Sequence, residues 1–148
     1  MARITFYIHV ADLPSFTCQL AKKAYTSGER VLIWLTDETE LKQYDQMLWS
    51  FEASSFLPHS IWSLSEPQPA KDKGILLAAG TNMPLVEAET VVLNLTDIYW
   101  CNMRQQPQRV LELASHTEAD LAKARNRFRV YREAGFSVEH YDCSGRNQ

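Results

Sequence analysis

Two short runs near the start of the chain, Arg3 to Val10 (RITFYIHV) and Arg30 to Leu35 (RVLIWL), are apolar at almost every position and rich in β-branched and aromatic residues. A strand with one wet face alternates in polarity; a strand covered on both faces does not. Between the two runs, Asp12 and Pro14 open a helix that turns Phe16, Leu20 and Ala24 to one side and Lys22 and Lys23 outward, and Ser27-Gly28-Glu29 stops it. Thr36-Asp37 then caps a second helix, Glu38 to about Trp49, with Leu41, Tyr44 and Leu48 facing in. Strand–helix units joined by short loops dictate parallel strands and right-handed crossovers.

Three more strands are predicted at Ile75 to Ala79, Thr90 to Leu95 and Arg109 to Leu113, and Phe136 to Tyr141 reads as a terminal strand or an extended tail. The class is α/β in three layers, a mostly parallel twisted sheet of about five strands flanked by helices. Such a fold is nucleotide-binding-like. Yet His9-Val10-Ala11-Asp12-Leu13-Pro14 stands where a phosphate loop would need glycines, which argues against ATP or NAD. A chain of 148 residues is long enough for one domain with a real core, placed at 1–142, with a disordered tail at 143–148 that includes Cys143. The chain opens directly on a strand, so neither a signal peptide nor a transmembrane segment is expected.

Two stretches stand out from this frame. From Ser50 to Ser65, Phe51, Phe56, Leu57, Pro58, His59, Ile61, Trp62 and Leu64 crowd a segment of weak periodicity, just after Trp49. It either crosses under the sheet as core or forms an exposed aromatic surface for a protein partner. From Thr117 to Phe136 the pattern is a helix with both ends marked. Thr117 is its N-cap with Asp120 at capping-box distance, and Gly135 takes the left-handed turn that ends it. Leu121, Ala124, Phe128 and Tyr131 form its apolar stripe, surrounded by Lys123, Arg125, Arg127, Arg129 and Arg132. Four of these five cations are arginine, the side chain suited to bidentate recognition of carboxylate or phosphate. The face is either a solvated one or an anion-binding ridge beside an apolar edge. Net charge is −3, yet eight of the fifteen Lys and Arg fall from Arg104 onward, a distribution that suits a small acidic ligand better than a long duplex.

Signals for catalysis are weak. His9, His59, His116 and His140 lack ligand spacing, and Cys18, Cys101 and Cys143 form no CxxC pair, so neither a metal nor a cofactor is indicated. Cys18 reads as a core thiol and the compartment as a reduced, cytoplasmic one. His9 and Asp12 follow the first strand, where an open α/β sheet places its site, and they carry the alternative reading of a small enzyme or nucleotide-binding protein.

Thr5-Phe6-Tyr7, Ser27-Gly28-Glu29-Arg30-Val31-Leu32-Ile33, Leu48-Trp49 before Ser55-Phe56-Leu57-Pro58-His59, and the run from Ala124 to Phe136 with its YRxAGF ending together resemble the chi subunit of bacterial DNA polymerase III. The likeness covers nearly the whole chain and is loosest from Leu64 to Thr90. It implies a noncatalytic accessory protein of the clamp loader in DNA replication, without a cofactor and meeting DNA only indirectly. On one side it implies binding of the acidic C-terminal tail of single-stranded DNA-binding protein by Arg125, Phe128, Arg129 and Arg132. On the other it implies binding of a psi subunit by Trp49, Phe56, Leu57 and Pro58. Leu121 stands where the family can carry a lysine, and Phe128 where a tyrosine is common.

Overall fold

The computed structural model describes residues 2–50, 58–62, 74–80, 89–100 and 107–144. Ten elements follow in the order β1 (Arg3–Val10), α1 (Leu13–Thr26), β2 (Val31–Leu35), α2 (Glu38–Ser50), β3 (His59–Ile61), β4 (Ile75–Ala79), β5 (Val91–Asn94), β6 (Arg109–Ser115), α3 (Glu118–Glu133) and β7 (Ser137–Asp142). The seven strands form one sheet in the order β3-β4-β2-β5-β6-β1-β7, and every pairing is parallel.

The expected α/β class holds, with two strands beyond the five. The segment from Phe136 to Tyr141 is a strand, paired with β1 from Arg3↔Ser137 to Ile8↔Asp142. The other addition, β3, lies inside the aromatic segment. It is three residues long and sits at the sheet edge, too short to show a period of two. Cys143, assigned by the sequence to the tail, is instead buried, and its N–H donates to the Ile8 carbonyl at 2.8 Å. The ladder between β1 and β7 simply continues one residue further than the hydrophobic pattern showed.

Strand order decides which face each helix covers. The chain runs from β1 to β2 and from β2 to β3 in one direction across the sheet, and from β6 to β7 in the other. With right-handed crossovers, α1 and α2 fall on one face and α3 on the opposite face. The core is split accordingly. Under α1 and α2 lie Cys18, Ile33, Leu35, Leu41, Tyr44 and Leu77; under α3 lie Ile4, Phe6, Trp34, Val92, Trp100 and Tyr131.

The ends of α3 form as the sequence indicates, with one change of partner. The Thr117 hydroxyl accepts from the Asp120 N–H at 3.2 Å. Asp120 does not reach back to Thr117. Its Oδ2 accepts from the Ser115 hydroxyl at 2.7 Å and the Ser115 N–H at 3.2 Å, which ties the helix start to the end of β6. At the other end, Gly135 has φ 94°, the Gly135 N–H donates to the Arg132 carbonyl and the Phe136 N–H to the Tyr131 carbonyl. This is a Schellman motif, with the Phe136 and Tyr131 rings in contact across it.

Arg127 departs from the exposed position expected of it. It is 6% exposed and faces the sheet. Its Nε donates to Glu112 Oε1 at 2.8 Å, and one Nη donates to the Ile98 carbonyl at 2.9 Å and the Tyr131 hydroxyl at 2.7 Å. Glu112 Oε2 accepts from Asn94 at 3.0 Å and from Trp100 and Tyr131 at 3.3 Å. Burial works against the guanidinium charge, but Glu112 and Tyr131 outweigh it and hold the Arg127 pKa above its ordinary value. Removing one member of such a pair leaves an uncompensated buried charge. Glu112→Ala is therefore expected to cost about 3–5 kcal/mol; a urea denaturation showing a loss below about 1 kcal/mol would refute the role given to this pair.

Candidate functional site

Parallel strands put all their carboxyl ends on one side of the sheet, and near that side α3 crosses β1 and β7. Phe6, Ile8 and His9 from β1, Leu121, Ala124, Arg125 and Phe128 from α3, and His140 from β7 enclose an open cavity of about 260 Å³. Its walls are mainly apolar, with one arginine and two imidazoles. A second, shallower cavity of about 350 Å³ lies against Phe128, Arg129, Arg132 and Glu133. Phe128 borders both. The His140 ring meets it edge-on at 5.7 Å, and the Arg132 guanidinium lies 5.8 Å from its centre.

All four residues assigned to an acidic tail therefore come together around one ring. Arg125, Arg129 and Arg132 are exposed, while Phe128 is half-buried between the cavities. Helical geometry explains the grouping: positions three and four apart share a face. Two other cations of α3 are otherwise engaged. Arg127 is the buried partner of Glu112, and Lys123 pairs with Asp97 at 3.3 Å. Among the described residues, Arg125, Arg129 and Arg132 make no ion pair with an acidic side chain; Arg129 donates to Asn126 Oδ1 at 2.6 Å.

His9 and Asp12, which the sequence sets together after β1, part in the structure. Asp12 caps α1, its Oδ1 accepting from the Ser15 N–H at 3.2 Å. That carboxylate occupies the helix start where a phosphate-binding protein needs free N–H groups. His9 instead lines the cavity beside α3. Cys18 has 0% exposure, and burial, aided by the Asp12 charge, pushes its thiol up to about 12, the opposite of what a nucleophile needs. Sequence reasoning gave His140 no role in a site. Period-two alternation along β7 puts it on the same face as Val138, but only the pairing of β7 with β1 brings it to the cavity.

The described part of the aromatic segment, residues 58–62 with β3, lies at the opposite edge of the sheet. Trp49, at the end of α2, is 59% exposed, and its ring meets that of His59 edge-on at 4.9 Å. His59 Nε2 lies 3.1 Å from Asp45 Oδ1. Ile61 follows two residues later on the same face of β3 and is 45% exposed. Pro58 is half-buried, and its carbonyl accepts from the Ile75 N–H at 2.9 Å. Gly74 permits that approach, since a Cβ there would lie 2.9 Å from the same carbonyl oxygen. Phe56 and Leu57, named with Trp49 and Pro58 for a second partner, lie outside the described residues. Six strand intervals separate β3 from β7, roughly 29 Å at ~4.8 Å each. The two surfaces therefore cannot share one small ligand.

Among the described residues, no helix is long and apolar enough to cross a membrane. Exposure sorts the tryptophans by consequence. Trp34 and Trp100 have 0% exposure. Trp34→Ala is expected to lower stability by about 3–5 kcal/mol, whereas Trp49→Ala should cost less than about 1 kcal/mol. Thermal denaturation of both variants checks this, and a large loss in Trp49→Ala would show that its ring belongs to the core.

The sequence has relatives among known proteins. Residues 1–139 match the family described as DNA polymerase III chi subunit, HolC. The chain is 30% identical over 145 residues to the DNA polymerase III subunit chi of Pseudomonas aeruginosa, covering 95% of this chain and 96% of that protein. It is 25% identical over 146 residues to the DNA polymerase III subunit chi of Escherichia coli, covering 93% and 96%.

Proposed function

The chain belongs to the DNA polymerase III chi subunit family, accessory subunits of DNA replication and not enzymes, and we propose that it is an adaptor joining the clamp loader to single-stranded DNA-binding protein. One end of the link is the acidic C-terminal tail of that protein, which ends in Pro-Phe. The other is a psi-type subunit. In this reading the chain meets DNA only through its partners, works in the cytoplasm and carries no cofactor.

The observation that carries the reading is the set of exposed arginines around the half-buried Phe128, with an apolar cavity beside it. A tail ending in phenylalanine offers a ring, a terminal carboxylate and acidic side chains. The ring fits the apolar cavity against Phe128. Arg125, Arg129 and Arg132 supply planar charge-assisted donors for the carboxylates. Exposed ion pairs each contribute about 0–1 kcal/mol, so several act together with burial of the ring, worth about 1.5–3 kcal/mol. The resulting affinity is on the order of micromolar and falls with salt. At the other edge, Trp49 with Ile61 and Pro58 offers the psi-type partner an exposed aromatic anchor, with Phe56 and Leu57 assigned to the same contact.

The test is a titration with an acidic peptide ending in Asp-Ile-Pro-Phe. Arg125→Ala and Phe128→Ala are each expected to weaken it about tenfold, ~1.4 kcal/mol, and deletion of the final Phe to abolish measurable binding. Wild-type affinity in Arg125→Ala would reject the site. For the second surface, Trp49→Ala should weaken binding to a psi-type subunit by about 2 kcal/mol and leave the peptide titration unchanged. Loss of both together would contradict two separate surfaces.

A further inference from the structure

β1 and β6 fall out of step at one place. Tyr7 pairs with Leu113 and Val10 with Ser115, so two residues of β1, Ile8 and His9, stand against one of β6. This is a β-bulge, and at it His9 adopts φ 58°. Among the described residues His9 alone has a positive φ without being glycine. A residue held in this region carries strain, and bulges commonly re-aim a side chain next to a site. Here the result is visible. In a regular strand Ile8 and His9 would point to opposite faces; at the bulge both line the same cavity, against Leu121, Arg125 and Phe128 of α3. The neighbouring strand β7 contributes His140 to that cavity, edge-on to Phe128.

We propose that His9 and His140 are binding residues of the cavity, which take a carboxylate of the acidic ligand together with Arg125 and make its affinity rise as pH falls. The proposal rests on the tail-binding reading of the site and assigns two contacts beyond the arginines. Among the described residues, the charged groups beside the imidazoles are Arg125 from α3 and Asp142 from β7. Asp142 follows His140 by two residues and is paired with Ile8. Its carboxyl is held below the usual range by the hydrogen bonds from Ser144 and, more weakly, by His9 and His140. An imidazole changes charge within about pH 5–8, whereas arginine and the ligand's carboxylates, with ordinary values near 3.5–4, do not. An anion bound beside the rings favours imidazolium, so binding takes up protons and tightens on the acidic side.

The peptide ending in Asp-Ile-Pro-Phe is titrated by calorimetry at pH 6.0 and pH 8.0 at equal ionic strength, with wild type, the double variant His9→Asn/His140→Gln, and His140→Gln alone. Asparagine is chosen at position 9 because it tolerates positive φ. The wild type is expected to bind about fivefold more tightly at pH 6.0, and the double variant to show a ratio below about twofold. His140→Gln, at an exposed position, should lose part of the response without bearing on how β1 folds. A wild-type ratio near one, or a double variant that keeps the wild-type ratio, overturns the role of the histidines while leaving the tail reading intact. Absence of peptide binding at both pH values overturns the tail reading itself and this inference with it.

Discussion

The buried pair of Arg127 and Glu112 sets how α3 lies on the sheet. Glu112 comes from β6, Arg127 from the middle of α3, and their bonds extend to Asn94, Trp100, Tyr131 and the Ile98 carbonyl. The guanidinium also stacks 4.6 Å from the centre of the Tyr99 ring. Rotation of the helix about its axis would break several of these bonds at once inside a region of low dielectric. With that rotation fixed, Ala124 and Tyr131 face the core, Phe128 reaches its edge, and Arg125, Arg129 and Arg132 point away. A buried ion pair is not required for stability, since an apolar replacement can serve as well. What it supplies here is a single orientation for a helix whose other core contacts include one small residue, Ala124.

The carboxyl end of β1 carries the second constraint. The bulge at Ile8 and His9 stores local strain, yet it brings His9 beside Ile8 at the cavity that α3 borders. Asp12 closes the start of α1 with its own carboxylate, so the end of β1 offers no helix N-terminus to a phosphate. A fold resembling a nucleotide-binding domain thereby presents a different surface: arginines and imidazoles around an apolar notch at one edge of the sheet. The exposed Trp49 stands at the other edge, near β3. A seven-stranded sheet is a rigid spacer between them, which suits a protein proposed to hold two partners together.

Much of this was legible in the residues. The runs at Arg3 to Val10 and Arg30 to Leu35 impose buried parallel strands, and Thr117 and Gly135 mark the ends of α3 in the sequence itself. The three-residue strand β3 was not legible, because periodicity needs more residues than it has. The place of Cys143 is not legible either, because the composition beyond Tyr141 carries no strand signal, while its N–H completes a ladder with Ile8.

At the site the division is similar. From the sequence alone came the α/β class, read from the succession of strands and helices, together with the marked helix, the clustering of Arg125, Arg129 and Arg132 with Phe128, and the aromatic stretch near Trp49, which are local patterns set by spacing along the chain. The tertiary structure alone decided that Arg127 is buried, that His9 parts from Asp12, and that His140 joins His9 across β1 and β7. Each of these depends on strand order and on a one-residue change of register. No local pattern encodes such pairings, because they arise when segments distant in sequence bury the same surface.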